Sequence, residues 1–392
     1  MAGMRLIWGS CQQPSGADNF ASMIAAFNPD LFIHQGDWVY TVQPRSWTGA
    51  DAVTLTKTAT AADYLTHYRN KAQVPGWMDF FTWKTASGIP AYFMPDDHEW
   101  IGNDWDHTIG ASNNSFVPVP THTTLAEVAA SHWESVQAQN TFIAERWDNK
   151  INTDGVSPEL PPEIATMGSP PSTAQYPVRY FRQRFNDAGQ EDDAGTFVEV
   201  FVLDPIMYRG PTRATWTPAP AAATDTTLLG TNQKAWLLAR LAASTATWKI
   251  ISCNKQTFKN GGISASNPDT FHEYPTERDA IISYIKTNNI DNVIWLAGDR
   301  HTPTIIDDET GHICFVSGSL SVTMSNQNIP NMTLSNNNIW WGFEQQFGML
   351  EFTETKAIVS FRGTRRYGGA LFVGEIVAGT NRLTFPRPKL SL

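Results

Sequence analysis

The chain has 392 residues, 41% of them hydrophobic, and can bury a large core; its formal net charge of -10, spread without a basic run, excludes a dedicated binder of duplex nucleic acid. No apolar run reaches the roughly 18 residues needed to cross a bilayer, so no membrane span is expected. Three cysteines exclude a disulfide framework and leave at most one bridge.

The opening residues show no charged region, apolar core and cleavage site in series, so the compartment stays open: secreted or periplasmic if a leader has been removed. Residues 5–8 read as a strand that ends in Gly-Ser-Cys11, and residues 31–34 as a second that ends in Gln-Gly-Asp37, with a capped helix over 18–27 between them. Helical stretches near 61–71 and 76–83 precede a third strand, 89–94, which delivers Asp96, Asp97 and His98. Residues 100–121 read as a long loop, 124–147 as a helix, and the proline-rich 150–176 as another loop. Two antiparallel strands follow, 178–185 and 196–203, joined by an acidic turn.

A helix is expected over 231–243, a strand over 248–253, and a helix over 276–286 opened by a capping box of Thr276 and Asp279. The strand 292–297 ends at Gly-Asp299-Arg-His301. Beyond that, strands dominate at 314–316, 348–352, 356–361 and 370–376. Alternating units first and strands late predict an α/β fold of two mixed sheets face to face with helices outside. We read residues 1–392 as a single domain with long loop insertions, in which the strands from about 303 onward complete the second sheet.

Four clusters of metal-compatible side chains each follow a predicted strand: Cys11, Asp37 with Tyr40, Asp97 with His98, and Asp299 with His301. Strand ends on one sheet edge converge, so residues scattered along a chain can build one metal site. Asp96 and Asp97 repel unless a cation or a shared proton relieves them. One of the pair is expected to face the metals, His98 to face substrate, and Glu99 to orient His98. Asp299 and His301 alternate, so in an extended segment they point to one side. Asn103 and Asp104 can add oxygen ligands, and a solvated loop explains them equally well. His34, His67, His107, His122, His132, His272 and His312 have no comparable context and are assigned structural or surface roles.

These motifs, in order, resemble those of the PhoD-like alkaline phosphatase and phosphodiesterase family of the calcineurin-like metallophosphoesterases. The resemblance rests on Gly9-Ser10-Cys11, Gly36-Asp37-Trp38-Val39-Tyr40, Asp96-Asp97-His98-Glu99 with Asn103-Asp104, and Gly298-Asp299-Arg300-His301, and it spans about residues 5–376. It implies a four-layer sandwich of two mixed sheets flanked by helices. It also implies a centre combining Fe3+ with Ca2+, though the donors suit other divalent metals too. Carried over, Cys11, Asp37 and Tyr40 hold the iron with His301 as candidate fourth ligand. Asp97 and Asp299 hold the calcium side, with Asn103 as a candidate, and Asp37 is a candidate bridge. The segment Asp204-Pro-Ile206-Met-Tyr208-Arg209 departs from the family, with Ile206 where an arginine is usual.

The expected activity is hydrolysis of a small-molecule phosphate ester, mono- or diester, by a metal-activated hydroxide. His98 assists the leaving oxygen or stabilises transition-state charge, Asp97 holds metal, and Arg300 is a candidate phosphate contact, with a solvent-facing arginine the competing reading. Alternatives are a phosphotriesterase or phospholipase D-like hydrolase on the same site, or a non-catalytic calcium-dependent carbohydrate binder. The oligomeric state is not encoded in any motif found.

Overall fold

A computed structural model describes residues 3–12, 24–40, 58–100, 124–210, 227–258, 270–307, 311–320, 338–341, 345–363, 370–380 and 383–384. The strands are β1 (Arg5–Gly9), β2 (Leu31–His34), β3 (Ala91–Phe93), β4 (Phe181–Phe185), β5 (Val198–Val202), β6 (Trp248–Ser252) and β7 (Val293–Ala297). They continue as β8 (Thr304–Asp307), β9 (Ile313–Val316), β10 (Asn338–Trp341), β11 (Gln346–Phe352), β12 (Lys356–Gly363), β13 (Ala370–Val377) and β14 (Leu383–Thr384). The helices are α1 (Ala61–Ala72), α2 (Pro75–Ser87), α3 (Leu125–Arg146), the short α4 (Pro162–Ala165), α5 (Gly230–Ala243) and α6 (Pro275–Thr287). The predicted helix over 18–27 lies largely outside the described residues; 24–26 are helical.

Among the described residues the strands form two sheets, ordered β14-β13-β12-β11-β1-β2-β3 and β10-β8-β9-β7-β6-β5-β4. In the first, β1, β2 and β3 run parallel; in the second, β5, β6, β7 and β9 do. Each sheet is mixed, because antiparallel strands flank the parallel set on β1, β5 and β9.

Period-2 alternation explains the layers. In β1, Leu6 and Trp8 face the other sheet while Ile7 faces outward; in β7, Ile294 and Leu296 face inward while Trp295 faces outward. Side chains from both sheets meet in one core, which includes Leu6, Ile33, Val200, Ile250, Leu296 and Val359. Outside the first sheet, Tyr64 and Tyr68 of α1, Trp77 and Phe80 of α2 and Phe142 of α3 cover Ile7, Phe32 and Phe93. Outside the second, Trp236 and Leu237 of α5 and Ile281 and Ile285 of α6 cover Phe201, Ile251 and Trp295. The result is a four-layer α/β sandwich, as expected from the sequence.

Two expectations are corrected. Of the late strands, β8, β9 and β10 join the second sheet, but β11 to β14 extend the first, because β11 pairs antiparallel with β1 through Arg5–Glu351 to Trp8–Gly348. The capping box at Thr276 is absent: α6 begins at Pro275, which fills the first helical turn where no N–H is needed, and Tyr274 is its N-cap without a side-chain hydrogen bond. The segment 150–176 is pinned to α5, where Glu159 accepts from the Thr231 and Asn232 amides and Asp154 from the Trp236 indole.

His34, at the end of β2, is fully buried with Trp77, Phe93 and Trp147 rings around it, and neither ring nitrogen has a hydrogen-bond partner among the described residues. Burial, reinforced by the Lys71 charge, lowers its pKa from 6.5 to about 3. The unfolded chain therefore takes up a proton near pH 6.5 that the folded chain refuses, so stability falls as pH drops through the interval between these values. His34→Phe removes that proton uptake. The variant is expected to lose stability less steeply between pH 6 and pH 4, by up to about 1.4 kcal/mol per pH unit, in denaturant titrations at each pH. Parallel curves for the two proteins would contradict this origin.

Candidate metal centre

The carboxyl ends of β1, β2, β3, β6 and β7 meet at one edge where the two sheets abut. Gln35, after β2, donates to the Ser252 hydroxyl at 2.9 Å and the Leu296 carbonyl at 3.0 Å, and so crosses from the first sheet to the second. Asn254, after β6, crosses back and donates to the Met94 and Pro95 carbonyls at 3.0 and 2.9 Å. The Cys11 amide donates to the Gly36 carbonyl, and the Gln12 amide to that of Asp37. Gly36 has φ +77, and a Cβ there would lie 2.3 Å from the Cβ of Asp96, so this turn admits only glycine. Gly298 permits a similar approach: its Cβ would fall 2.7 Å from that of Ser10.

Cys11, Asp37 and Asp299 all adopt positive φ, 56°, 54° and 63°. Left-handed backbone costs a non-glycine residue roughly 1–2 kcal/mol, and its recurrence at three predicted ligands marks a site held in place by its surroundings.

The structure brings the predicted donors together. Cys11, Asp37 and His301 present one ligand atom each within 4.8 Å of one another, and so do Asp37, Asp97 and Asp299. Asp37 belongs to both groups. Its Oδ2 accepts from the Cys11 thiol at 3.3 Å, while its Oδ1 is buried without a hydrogen-bond partner among the described residues. Tyr40 joins the first group, its hydroxyl 3.3 Å from His301 Nε2. A thiol, a phenol, an imidazole and a shared carboxylate offer mixed sulfur, nitrogen and oxygen donors of the kind transition metals take on one side, and the carboxylate trio an all-oxygen set on the other.

The electrostatics agree. Burial, then the charges of Asp97, Asp96, Glu99 and Asp299, pushes the Asp37 carboxyl well above its usual range. Burial and the Asp37 charge do the same to the Cys11 thiol and the Tyr40 phenol. These groups hold protons until a cation arrives. Asp97 behaves oppositely. Burial alone would raise it, but Lys255, His98 and Arg209 together hold its carboxyl below the usual range. Burial, with the charges of His98 and Arg300, lowers His301 to about 4, so at neutral pH its imidazole is available as a lone-pair donor.

His98 is half-buried beside the site, its ring centroid 4.2 Å from that of Tyr40. Arg300 is half-buried at the same edge. Asn103 and Asp104 lie outside the described residues.

Glu99 does not orient His98. Its carboxylate turns inward and accepts from the backbone amides of Asp37 and Asp96 at 2.9 and 2.7 Å, and from those of Trp38 and Val39 at 2.5 and 3.0 Å. It thereby fixes the turn that carries Asp37 and Tyr40. Ile206 is fully buried, its amide donating to Asp204 Oδ1, so the departure there is filled by core packing.

Sequence reasoning missed Lys255. Its ammonium, with no exposed side-chain surface, lies 2.5 Å from Asp96 Oδ1, 3.0 Å from Asp97 Oδ1 and 2.8 Å from Asp299 Oδ1. The signal was its place directly beyond β6, a strand end like those that carry the other site residues.

Searches against known proteins agree with this architecture. The chain is similar over 98% of its length to a solved structure of PhoD, with 20% identity, a TM-score of 0.67 and 72% of that chain covered. It is similar over 96% to purple acid phosphatase PPD1 from yellow lupin (Lupinus luteus) seeds, with 12% identity, a TM-score of 0.54 and 54% of that chain covered. The fold is thus the one these two proteins share. The profile of the PhoD-like phosphatases matches residues 6–144 and 176–361, and the chain belongs to that family. It is 26% identical over 310 residues to alkaline phosphatase D of Bacillus subtilis (strain 168), covering 76% of this chain and 46% of that protein, so it spans about half the length of this relative. No described helix is long and apolar enough to cross a membrane.

Proposed function

We propose that the chain is a metal-dependent hydrolase of small-molecule phosphate esters, acting on mono- or diesters. One observation supports it above the others: Asp37 is common to two donor groups of different chemistry at the sheet edge. In this reading Fe3+ would be held by Cys11, Asp37, Tyr40 and His301, and Ca2+ by Asp97 and Asp299, with Asn103 a further candidate and Asp37 a candidate bridge between them. The orphaned, buried Asp37 Oδ1 favours a cation at this point. When bound, the cations would neutralise the nonbridging oxygens of the phosphoryl group and acidify water.

The chain's own residues then orient and move protons. Glu99 and the glycine turn fix Asp37, and Lys255 and Arg209 keep Asp97 ionised. His98, partly exposed beside Tyr40, gives a proton to the leaving oxygen in this reading, and Arg300 is a candidate contact for the phosphate. His98→Ala is expected to lower kcat by about 100-fold or more while metal content stays at the wild-type value. Loss of iron in this variant, read by elemental mass spectrometry, would assign His98 to the metal instead.

The reading is tested by assaying aryl phosphate mono-, di- and triesters in parallel. Turnover of mono- or diesters supports it. A chain that turns over only triesters contradicts the substrate class, and calcium-dependent saccharide binding without turnover contradicts the hydrolase.

A further inference from the structure

We infer that the Lys255 ammonium is a resident cation of this site, standing between Asp96, Asp97 and Asp299 where a further divalent ion would otherwise bind. The inference rests on the reading of Asp97 and Asp299 as cation-holding carboxylates. Its basis is geometric. Three carboxylate oxygens from two sheets converge on Nζ at 2.5, 3.0 and 2.8 Å. These are ammonium–carboxylate contacts; oxygens bind Ca2+ closer, at about 2.3–2.6 Å, so an ion taking this place requires the carboxylates to draw in only slightly. An ammonium carries three N–H donors, and it is the compact point charge that such a cage accepts where a planar guanidinium would not.

The position is built, not incidental. Asn254, the preceding residue, is stapled to the end of β3 through Met94 and Pro95, and its carbonyl accepts from the Gly298 amide at 2.8 Å. Lys255 is therefore fixed between the two strand ends whose aspartates it holds. It also resolves the repulsion between the neighbours Asp96 and Asp97 with a charge supplied by the chain itself. Among the described groups in contact with Nζ, three carboxylates against one ammonium leave a formal charge of -2 (-3 + 1), which keeps the neighbouring position beside Asp37 attractive to a metal. Lys255 thus limits how many cations this half of the site takes up and keeps Asp97 and Asp299 aligned when they are absent.

The test is Lys255→Met, which keeps an unbranched stem and deletes the charge. Breaking a buried ion cluster on one side leaves uncompensated charge, which the protein can relieve by capturing an ion. Calcium titration calorimetry on chelator-treated protein, with elemental mass spectrometry after equilibration, is expected to show about one more Ca2+ per chain in the variant than in wild type. Calcium is also expected to raise the melting temperature of the variant by more than it raises that of wild type. Equal calcium counts with equal thermal shifts overturn the inference. A variant that stays unfolded in saturating calcium overturns it too, since a captured ion must take over the charge of the lysine. The wild-type count, read in the same titration, separates this from the reading of the site. A wild-type chain that binds no cation contradicts the metal centre, whereas the difference between the two proteins tests the lysine.

Discussion

Asp37→Asn is expected to lose bound metal and activity together, with kcat/KM falling by about three orders of magnitude, or ~4 kcal/mol of transition-state stabilisation. The carboxylate is shared by the Cys11–His301 group and the Asp97–Asp299 group, so one substitution weakens both. An amide keeps the shape but offers a single neutral oxygen, a poor bridge between hard cations. Stability should move the other way. Burial and four neighbouring carboxylates raise the Asp37 pKa in the folded chain, so the folded state holds its proton more tightly than the unfolded state. Such a group costs stability as pH rises above the ordinary carboxylate value near 3.8. The metal-free Asn variant is therefore expected to melt above metal-free wild type at neutral pH. Metal content and kcat/KM check the first half and calorimetry of the stripped proteins the second. A fully active, metal-loaded variant would remove Asp37 from the centre.

Glu99→Ala carries the largest expected effect on stability. Its two oxygens accept from four backbone amides, and the side chain is fully buried. A buried donor left without a partner costs about 1–3 kcal/mol, so a loss of about 3–5 kcal/mol follows even if some of the four regain water. For a chain of this size that is a fall of ~5 °C in melting temperature. The same change frees the turn bearing Asp37 and Tyr40, so metal affinity should fall with it. Glu99→Gln keeps one acceptor oxygen but places an NH2 against the amides on the other side, and is expected to fall between. An Ala variant melting within a degree of wild type would show that the turn is held by something else.

Much of the site was legible because its residues sit where the chain changes character. Cys11, Asp37, Asp97 and Asp299 each follow a buried run, three of them beside a glycine or in a doubled acid, and such breaks are visible without a structure. The fold class followed from the same alternation. What escaped depends on distance rather than on local pattern. A lysine after a strand reads as an ordinary solvent-seeking residue, and only the convergence of β3, β6 and β7 shows Lys255 inside three carboxylates. Glu99 reads as a partner of its neighbour His98, whereas its four donors lie mostly sixty residues earlier in the chain. Which sheet the late strands join is fixed by the pairing of β11 with β1, which no periodicity encodes. The short β8, β10 and β14 carry too few residues to show an alternation. His34, assigned by default a structural or surface role, lies in an aromatic cage whose burial disfavours its charged form.

The central claim is that chain segments from both sheets hold cations which do the work on a phosphoryl group. It is tested most directly by measuring hydrolysis of an aryl phosphate diester and monoester before and after exhaustive chelation, then with Fe3+ and Ca2+ added back. We expect turnover to fall at least ~100-fold on chelation and to return with the ions. Undiminished hydrolysis by protein shown to contain no metal would contradict the account.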